Sequence, residues 1–183
     1  FDRAVLTPEY GWETYRVDEP YVFRRNDGKW ILMYMGDSGG ANEQVSYAIA
    51  DDILGPYTKY GAIPAIPFGA PGPFDAGTVA DPWVVEYHGV YYIGYPVSPT
   101  TSSPWQTAYA TTIDWQTFTK HGITLPLAAS GWDSTNSFRG AVTRVGNTWV
   151  FPYTGDGYRM GIAIQPVFTT MTLNDPATVF SFF

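Results

Sequence analysis

Two acidic residues and one arginine occupy the same place in a pattern that recurs three times along the chain. Glu19 and Asp81 each stand before a proline, and Arg139 takes the third position. Each follows by seven residues an aromatic side chain that begins its copy of the pattern, and these are Trp12, Phe74 and Trp132. A fold that repeats as the sequence does would direct both carboxylates to one axis, where mutual repulsion raises the pKa of one of them. We therefore predict that Glu19 and Asp81 act as an acid and its ionised partner.

Each of these residues also has a structural interpretation. Glu19 and Asp81 could mark the entry into a strand, with the carboxylate accepting hydrogen bonds from backbone amides of a turn. Asp18 is either a further catalytic carboxylate or an exposed neighbour of Glu19. Arg139 either binds a substrate hydroxyl or carboxylate, or forms an ion pair with Glu19 or Asp81. We predict catalytic roles for Glu19, Asp81 and Asp18, and substrate binding for Arg139.

Acidic residues also recur directly after the leading aromatic side chains, as Glu13, Asp75 and Asp133. Their recurrence in all three copies favours a structural role, such as bonding to the backbone of a neighbouring repeat. The aromatic side chains beside them suit packing between repeats or stacking on the apolar face of a ligand. From these positions we predict Trp12, Asp75 and Trp132 as substrate-binding residues.

The repeats also predict the elements that position these side chains. We place the copies at 11–72, 73–130 and 131–183, after a segment 1–10 that has the character of the end of a preceding outer strand. Each copy contains four short runs rich in β-branched and aromatic residues, separated by turn residues. Four strands in a repeat of about 60 residues are typical of a β-propeller blade, whereas a β-sandwich would not repeat with this phase.

The sequence therefore predicts an all-β fold, a β-propeller of four-stranded antiparallel blades, with about three blades in a single domain over 1–183. Three blades do not make a comfortable ring, because propellers typically have four to eight. An open propeller presents unpaired backbone groups at its edges, and these favour association with another chain. We expect either a homo-oligomer that covers the edges or further blades upstream.

The composition excludes several classes of partner and cofactor. The chain has 10 Lys and Arg against 17 Asp and Glu, so we expect no nucleic-acid partner. It has no run of about 18 apolar residues, so we expect no membrane association. Without cysteine and with only two histidines, thiolate or histidine metal sites are excluded. We predict that no cofactor or metal is required, with structural calcium as an alternative that no motif supports. The compartment stays open, with a secreted or periplasmic location favoured over the cytoplasm.

Two long segments resemble a known superfamily of enzymes. The stretch VDEPYVFRRNDGKWILMYMG at 17–36 and its second copy VADPWVVEYHGVYYIGYP at 79–96 are similar to blades of the five-bladed propeller glycoside hydrolases, the superfamily that includes family 43. The most specific shared feature is an acidic residue before proline at the start of the innermost strand of a blade. The resemblance extends over essentially the whole chain and corresponds to about three of five blades.

The resemblance implies an enzyme that hydrolyses glycosidic bonds of oligo- or polysaccharides at the mouth of a central channel. It implies arabinofuranosyl, xylosyl or galactofuranosyl linkages as substrates, with Glu19 as the general acid, Asp81 as the second carboxylate and Arg139 as a substrate-binding residue. In family 43 two Asp blades precede the Glu blade, whereas here Glu19 precedes Asp81 and Arg139 stands third. Either the base belongs to an upstream blade, or an arginine replaces the third carboxylate. The alternatives are a non-catalytic carbohydrate-binding propeller and a fragment that needs further blades.

Overall fold

The computed structural model describes residues 4–40, 42–69, 73–102 and 104–166. In this part of the chain the secondary structure is β-strand, apart from two short 3₁₀ helices, which confirms the predicted all-β fold. The strands are β1 (Arg16–Arg24), β2 (Trp30–Asp37), β3 (Gln44–Ala50), β4 (Thr58–Lys59), β5 (Thr78–Val79), β6 (Trp83–Tyr87), β7 (Val90–Ser98), β8 (Gln106–Thr112), β9 (Thr119–Leu125), β10 (Thr143–Val145), β11 (Thr148–Thr154) and β12 (Met160–Pro166). The 3₁₀ helices are Pro73–Asp75 and Asp156–Tyr158.

The first sheet is antiparallel in the order β1-β2-β3-β4. Its first hairpin turns at Asp27 and Gly28, where the glycine has φ 88° and so takes a conformation that other residues adopt only with strain. The pairing of β1 with β2 shifts register between Asp18 and Tyr21. Glu19 therefore lies at an irregularity in the innermost strand of the sheet.

The second sheet repeats this arrangement with its inner strand divided in two. Strands β5 and β6 both pair with β7, which is followed by β8 and β9. The interruption between β5 and β6 contains Ala80, Asp81 and Pro82. Asp81 therefore has the same relation to its sheet that Glu19 has to the first.

The third sheet has the antiparallel order β10-β11-β12 within the described residues. Before β10 in the chain, Phe138 forms an isolated bridge with Thr154 of β11. Arg139 therefore comes directly after the first residue that pairs along the inner side of this sheet. The last of the four runs expected in this copy falls at 167–170, which lies outside the described residues. The three sheets fall within the three predicted repeats, whose bounds themselves stay a prediction.

Two apolar clusters hold consecutive sheets together. The cluster between the first and second sheets includes Ile31, Met33, Tyr47, Ile93 and Tyr95. The cluster between the second and third sheets includes Trp83, Tyr92, Tyr109, Trp149 and Phe151. The second sheet is thus covered on both faces, which explains why nearly all of β7 is buried.

A buried ion pair closes each of the first two sheets. Lys59 of β4 binds Glu13, and Lys120 of β9 binds Asp75, with all four side chains almost fully buried. In the third sheet the corresponding Asp133 accepts a hydrogen bond of 2.7 Å from the Tyr153 hydroxyl instead. Each acidic residue ties the segment before the inner strand to its own sheet, which agrees with the structural interpretation of their recurrence.

Candidate active site

The three residues that share one position in the repeats lie together around a single cavity. Glu19, Asp81 and Arg139 all line a cavity of about 340 Å³. They come from consecutive sheets, at the irregularity in β1, at the interruption between β5 and β6, and before β10. Repetition of the fold has therefore converted a repeat along the sequence into a cluster in space.

Direct contacts link the three residues in chain order. The Asp81 backbone N–H donates a hydrogen bond of 2.6 Å to Oε2 of Glu19. The Nε–H of Arg139 donates to Oδ2 of Asp81 over 3.3 Å, which also makes an ion pair. The Arg139 side chain is 55% exposed, and its guanidinium lies 5.2 Å from the centre of the Phe138 ring. The contact between Arg139 and Asp81 is one of the two arrangements that the sequence left open for the arginine.

All three residues have the same unusual backbone conformation. The φ angles are 54° at Glu19, 43° at Asp81 and 50° at Arg139, in the left-handed region that residues with a Cβ atom rarely adopt. Such a conformation costs about 1–3 kcal/mol and persists where the surrounding structure enforces it. Its occurrence at three equivalent positions around one cavity indicates that the surrounding structure holds these residues in place as one site.

The environment of Glu19 favours its protonated form. Burial raises the pKa of its carboxyl from 4.5 to about 8, and repulsion from the Asp81 carboxylate and from Glu43 acts in the same direction. The hydrogen bond from the Asp81 N–H opposes the shift because it stabilises the charged carboxylate. At neutral pH, Glu19 therefore carries a proton that it can donate to a ligand.

A further carboxylate, which the sequence motifs did not indicate, lines the same cavity. The Glu43 side chain is 13% exposed and accepts a hydrogen bond of 2.8 Å from Nη2 of Arg16. Its other oxygen accepts from the Thr78 hydroxyl, also over 2.8 Å. Glu43 lies in the connection before β3, outside the motifs around the inner strands. An alignment of the three repeats was the one sequence signal that could have indicated Glu43, because Glu43, Trp105 and Tyr158 occupy equivalent positions in it.

Two of the predicted acidic site residues do not line the cavity. Asp18 is 54% exposed, accepts a hydrogen bond of 2.8 Å from the Glu19 N–H and lies 3.5 Å from Nη1 of Arg16. It therefore contacts the site from outside, through the backbone of Glu19. Asp75 is fully buried in its ion pair with Lys120, where it holds the second sheet together.

The two predicted tryptophans pack against the sheets. Trp12 stacks on Tyr34 with ring centres 5.9 Å apart, and Trp132 stacks on Tyr153 at 5.5 Å. The Trp12 ring lies where a Cβ atom on Gly36 would come within 2.3 Å, so it fills the space that this glycine leaves. These contacts correspond to the packing alternative for the repeated aromatic side chains.

Within the described residues, no group of three or more His, Cys, Asp or Glu side chains has an arrangement suited to a metal ion. No helix in that part of the chain is long and apolar enough to cross a membrane. Independence from cofactors and the homo-oligomeric state stay predictions.

The chain is related in sequence to two fungal proteins. It is 29% identical over 154 residues to arabinan endo-1,5-alpha-L-arabinosidase A of Aspergillus aculeatus, which covers 80% of this chain and 44% of the relative. It is 33% identical over 114 residues to a protein of Emericella nidulans described as a probable arabinan endo-1,5-alpha-L-arabinosidase A, over 59% of this chain and 32% of the relative. The chain thus spans less than half the length of these curated relatives. No protein-family model matches it.

Among solved structures, the chain is similar to a family 117 glycoside hydrolase of the marine bacterium Zobellia galactanivorans. The TM-score is 0.75 at 17% identity, over 97% of this chain and 58% of the other. At that identity the similarity concerns the fold. It confirms the fold class predicted from the repeats, and the fungal relatives confirm the resemblance that the sequence motifs indicated.

Proposed function

We propose that this chain, which resembles the family 43-like superfamily of glycoside hydrolases, provides an active site that hydrolyses glycosidic bonds of an oligo- or polysaccharide. The observation that carries the proposal is the cluster of Glu19, Asp81 and Arg139 around one cavity. Glycoside hydrolysis requires one protonated and one ionised carboxyl group at the scissile bond. Glu19, with a pKa near 8, suits the protonated role, and Asp81 beside the Arg139 guanidinium suits the ionised one.

In the proposed reaction, Glu19 donates its proton to the glycosidic oxygen as the bond from that oxygen to the anomeric carbon breaks. The bonding electron pair stays with the leaving oxygen, and the positive charge that develops on the sugar is shared with its ring oxygen. The Asp81 carboxylate either removes a proton from a water that attacks the anomeric carbon, or attacks that carbon itself. In the second route the resulting glycosyl-enzyme ester is cleaved by a water that the deprotonated Glu19 activates, which releases the sugar and restores both carboxyl groups. The anomeric configuration of the first product distinguishes these two routes.

The relatives suggest which substrate to test first. Both are described as enzymes that act on 1,5-linked α-L-arabinan. We propose arabinofuranosyl linkages as the first candidates, with xylosyl and galactofuranosyl linkages next. A cavity of about 340 Å³ falls within the usual size of pockets for small ligands.

The test is hydrolysis of 1,5-α-arabinan and a panel of aryl furanosides and pyranosides by the protein and its Glu19→Gln and Asp81→Asn variants. We expect turnover of at least one substrate, lowered about 10²- to 10⁴-fold by either substitution, as is typical for loss of an acid or base. Asp51→Asn is the matched control, because Asp51 is 87% exposed in a surface pair with Lys29 and should leave the rate unchanged. Full activity in Glu19→Gln would refute the assignment of the acid.

A second candidate function is carbohydrate binding without turnover. It is favoured by Arg139, which stands where the resemblance leads us to expect a third carboxylate. In that case the folded protein would bind oligosaccharides in a calorimeter, Glu19→Gln and Asp81→Asn would leave that binding intact, and no substrate of the panel would be cleaved.

A further inference from the structure

A second set of equivalent residues surrounds the cavity outside the first. Glu43, Trp105 and Tyr158 all line it. Each stands three residues before the run that the repeats share in their third strand, and these runs are Ser46-Tyr47-Ala48, Ala108-Tyr109-Ala110 and Gly161-Ile162-Ala163. The cavity is therefore lined by one inner and one outer residue from every sheet.

Backbone contacts between sheets hold the first two outer residues in the same way. The Val79 N–H donates a hydrogen bond of 3.0 Å to the carbonyl oxygen of Glu43. In the next repeat, the Ser137 N–H donates one of 2.8 Å to the carbonyl oxygen of Trp105. Glu43 and Trp105 are thus each fixed by the inner edge of the following sheet. A ligand at these positions would meet side chains whose backbone is already ordered.

Two of the outer residues present aromatic surface to the cavity. The Trp105 ring stacks on Phe138, with ring centres 5.8 Å apart and planes 17° from parallel, and both residues line the cavity. Tyr158 is 84% exposed at the cavity wall. Aromatic rings suit the apolar faces of sugar rings, and a tryptophan supported from behind by a second ring loses little freedom on binding.

The connection that carries Tyr158 is anchored to the same wall. The Asp156 carboxylate accepts hydrogen bonds of 2.9 Å from the Thr135 N–H and from the Asn136 side-chain amide. The Asn136 amide oxygen in turn accepts a bond of 3.1 Å from the Trp105 N–H. The loops that carry Trp105 and Tyr158 are thereby joined through one side chain.

The charges around the cavity suit a neutral ligand. Arg139 is the one cationic side chain among the described residues that line it, and Asp81 binds its Nε. Glu43 is held by Arg16 and Thr78 and offers carboxylate oxygens that can also accept from hydroxyl groups. A sugar with hydroxyl groups toward Glu43 and an apolar face toward Trp105 would satisfy both.

We infer that Glu43, Trp105 and Tyr158 form a subsite next to the reacting position that binds an uncharged sugar unit of the substrate. The inference rests on the proposed function. It assigns recognition of the second sugar to the outer residues, while the inner residues act on the bond.

The test measures binding and turnover separately. Binding of 1,5-α-arabinooligosaccharides and β-1,4-xylooligosaccharides of one to six units is measured by calorimetry in Asp81→Asn, which slows cleavage, alone and combined with Trp105→Ala, Tyr158→Ala or Glu43→Gln. We expect the dissociation constant of one series to fall on going from one unit to two or three. Trp105→Ala should weaken binding of the longer sugars about 3- to 10-fold and leave the single sugar unchanged. Tyr15→Ala, which removes an aromatic residue that is 70% exposed outside the cavity, is the matched control.

The outcomes separate this inference from the proposed function. Length-dependent binding that Trp105→Ala or Tyr158→Ala removes, without cleavage of any sugar, would support the subsite and count against hydrolysis. Turnover with the same KM for long oligosaccharides in the protein and in all three variants would support hydrolysis and overturn the subsite. Absence of binding to both series by the folded protein would overturn the subsite as well. Circular dichroism of each variant excludes unfolding as the cause of a loss.

Discussion

Replacing Glu19 by glutamine should remove a specific pH dependence of stability. The pKa of Glu19 is about 8 in the folded protein and near 4.5 when the side chain is freely solvated. Below pH 4.5 the carboxyl is protonated in both states and does not oppose folding. Between pH 4.5 and 8 the unfolded chain releases its proton while the folded protein retains it, so the unfolded state gains stability with rising pH. Above pH 8 the carboxyl is ionised in both states and the full cost of burying the charge remains.

The displacement of the pKa sets the size of this effect. The difference between the pKa of Glu19 in the folded protein and in the unfolded chain corresponds to at most about 5 kcal/mol of destabilisation above pH 8. Because the Glu19 side chain keeps partial contact with solvent, we expect about 2 to 3 kcal/mol after screening. Glutamine has the shape of the protonated acid and can accept the hydrogen bond from the Asp81 N–H. The Glu19→Gln variant should therefore be more stable than the unsubstituted protein by that amount at pH 8.5. At pH 4.5 the two proteins should differ little in stability.

The assay is urea unfolding of the protein and the variant at half-unit steps from pH 4.5 to 9, followed by tryptophan fluorescence. The quantity of interest is the difference in unfolding free energy between the two proteins, because titrating groups that do not interact with Glu19 contribute equally to both. Asp51→Asn tests the method, since removal of an exposed charge should shift stability by less than 1 kcal/mol at every pH. A difference that stays constant across the range would refute the assignment of a buried, protonated Glu19.

Two further predictions concern the contacts that hold the site in place. Lys59→Met leaves the Glu13 carboxylate buried without its cation, so chemical denaturation should show a loss of about 3 kcal/mol, whereas Lys29→Met at the surface should cost less than 1 kcal/mol. Gly94→Ala places a Cβ atom 1.8 Å from the buried Trp83 ring, so its thermal unfolding midpoint should fall by an amount corresponding to about 1–3 kcal/mol or more. An unchanged midpoint for Gly94→Ala would show that the second sheet can shift to accept the added atom.

The sequence predicted the inner residues of the cavity because their identity and their spacing carry the same information. Glu19 and Asp81 each precede a proline, and Arg139 is found by the shared interval of seven residues. A repeat along the chain becomes a cluster in space when the repeats are arranged around one axis, so the motif sufficed to bring these residues together. The contacts among them were not accessible from the motif. Whether Arg139 pairs with Asp81 or with a ligand depends on distances that only the fold determines.

The outer residues were missed because their chemistry changes from one repeat to the next. Glu43 is acidic whereas Trp105 and Tyr158 are aromatic, and the feature that all three share in the sequence is their position before the third strand of a repeat. The repeated aromatic side chains present the opposite situation. Trp12 and Trp132 share both type and position, which suited ligand stacking as well as packing, and in the structure each lies against a tyrosine of its own sheet. A residue type that recurs in every repeat therefore does not by itself distinguish a packing role from a functional one.

The backbone conformation at the inner positions helps to distinguish a functional role from a packing role. A glycine would adopt the left-handed conformation there without strain, yet Glu19, Asp81 and Arg139 hold it with full side chains. The hydrogen bond from Asp81 to Glu19 and the ion pair from Arg139 to Asp81 offset part of that strain. Both contacts depend on the same side chains whose presence makes this backbone conformation strained. The strain is thus the consequence of placing ionisable groups at the interrupted inner edge of each sheet, where they meet around the cavity. The acid–base chemistry that we propose on a bound sugar would require that placement, whereas packing of the sheets gives no reason for it.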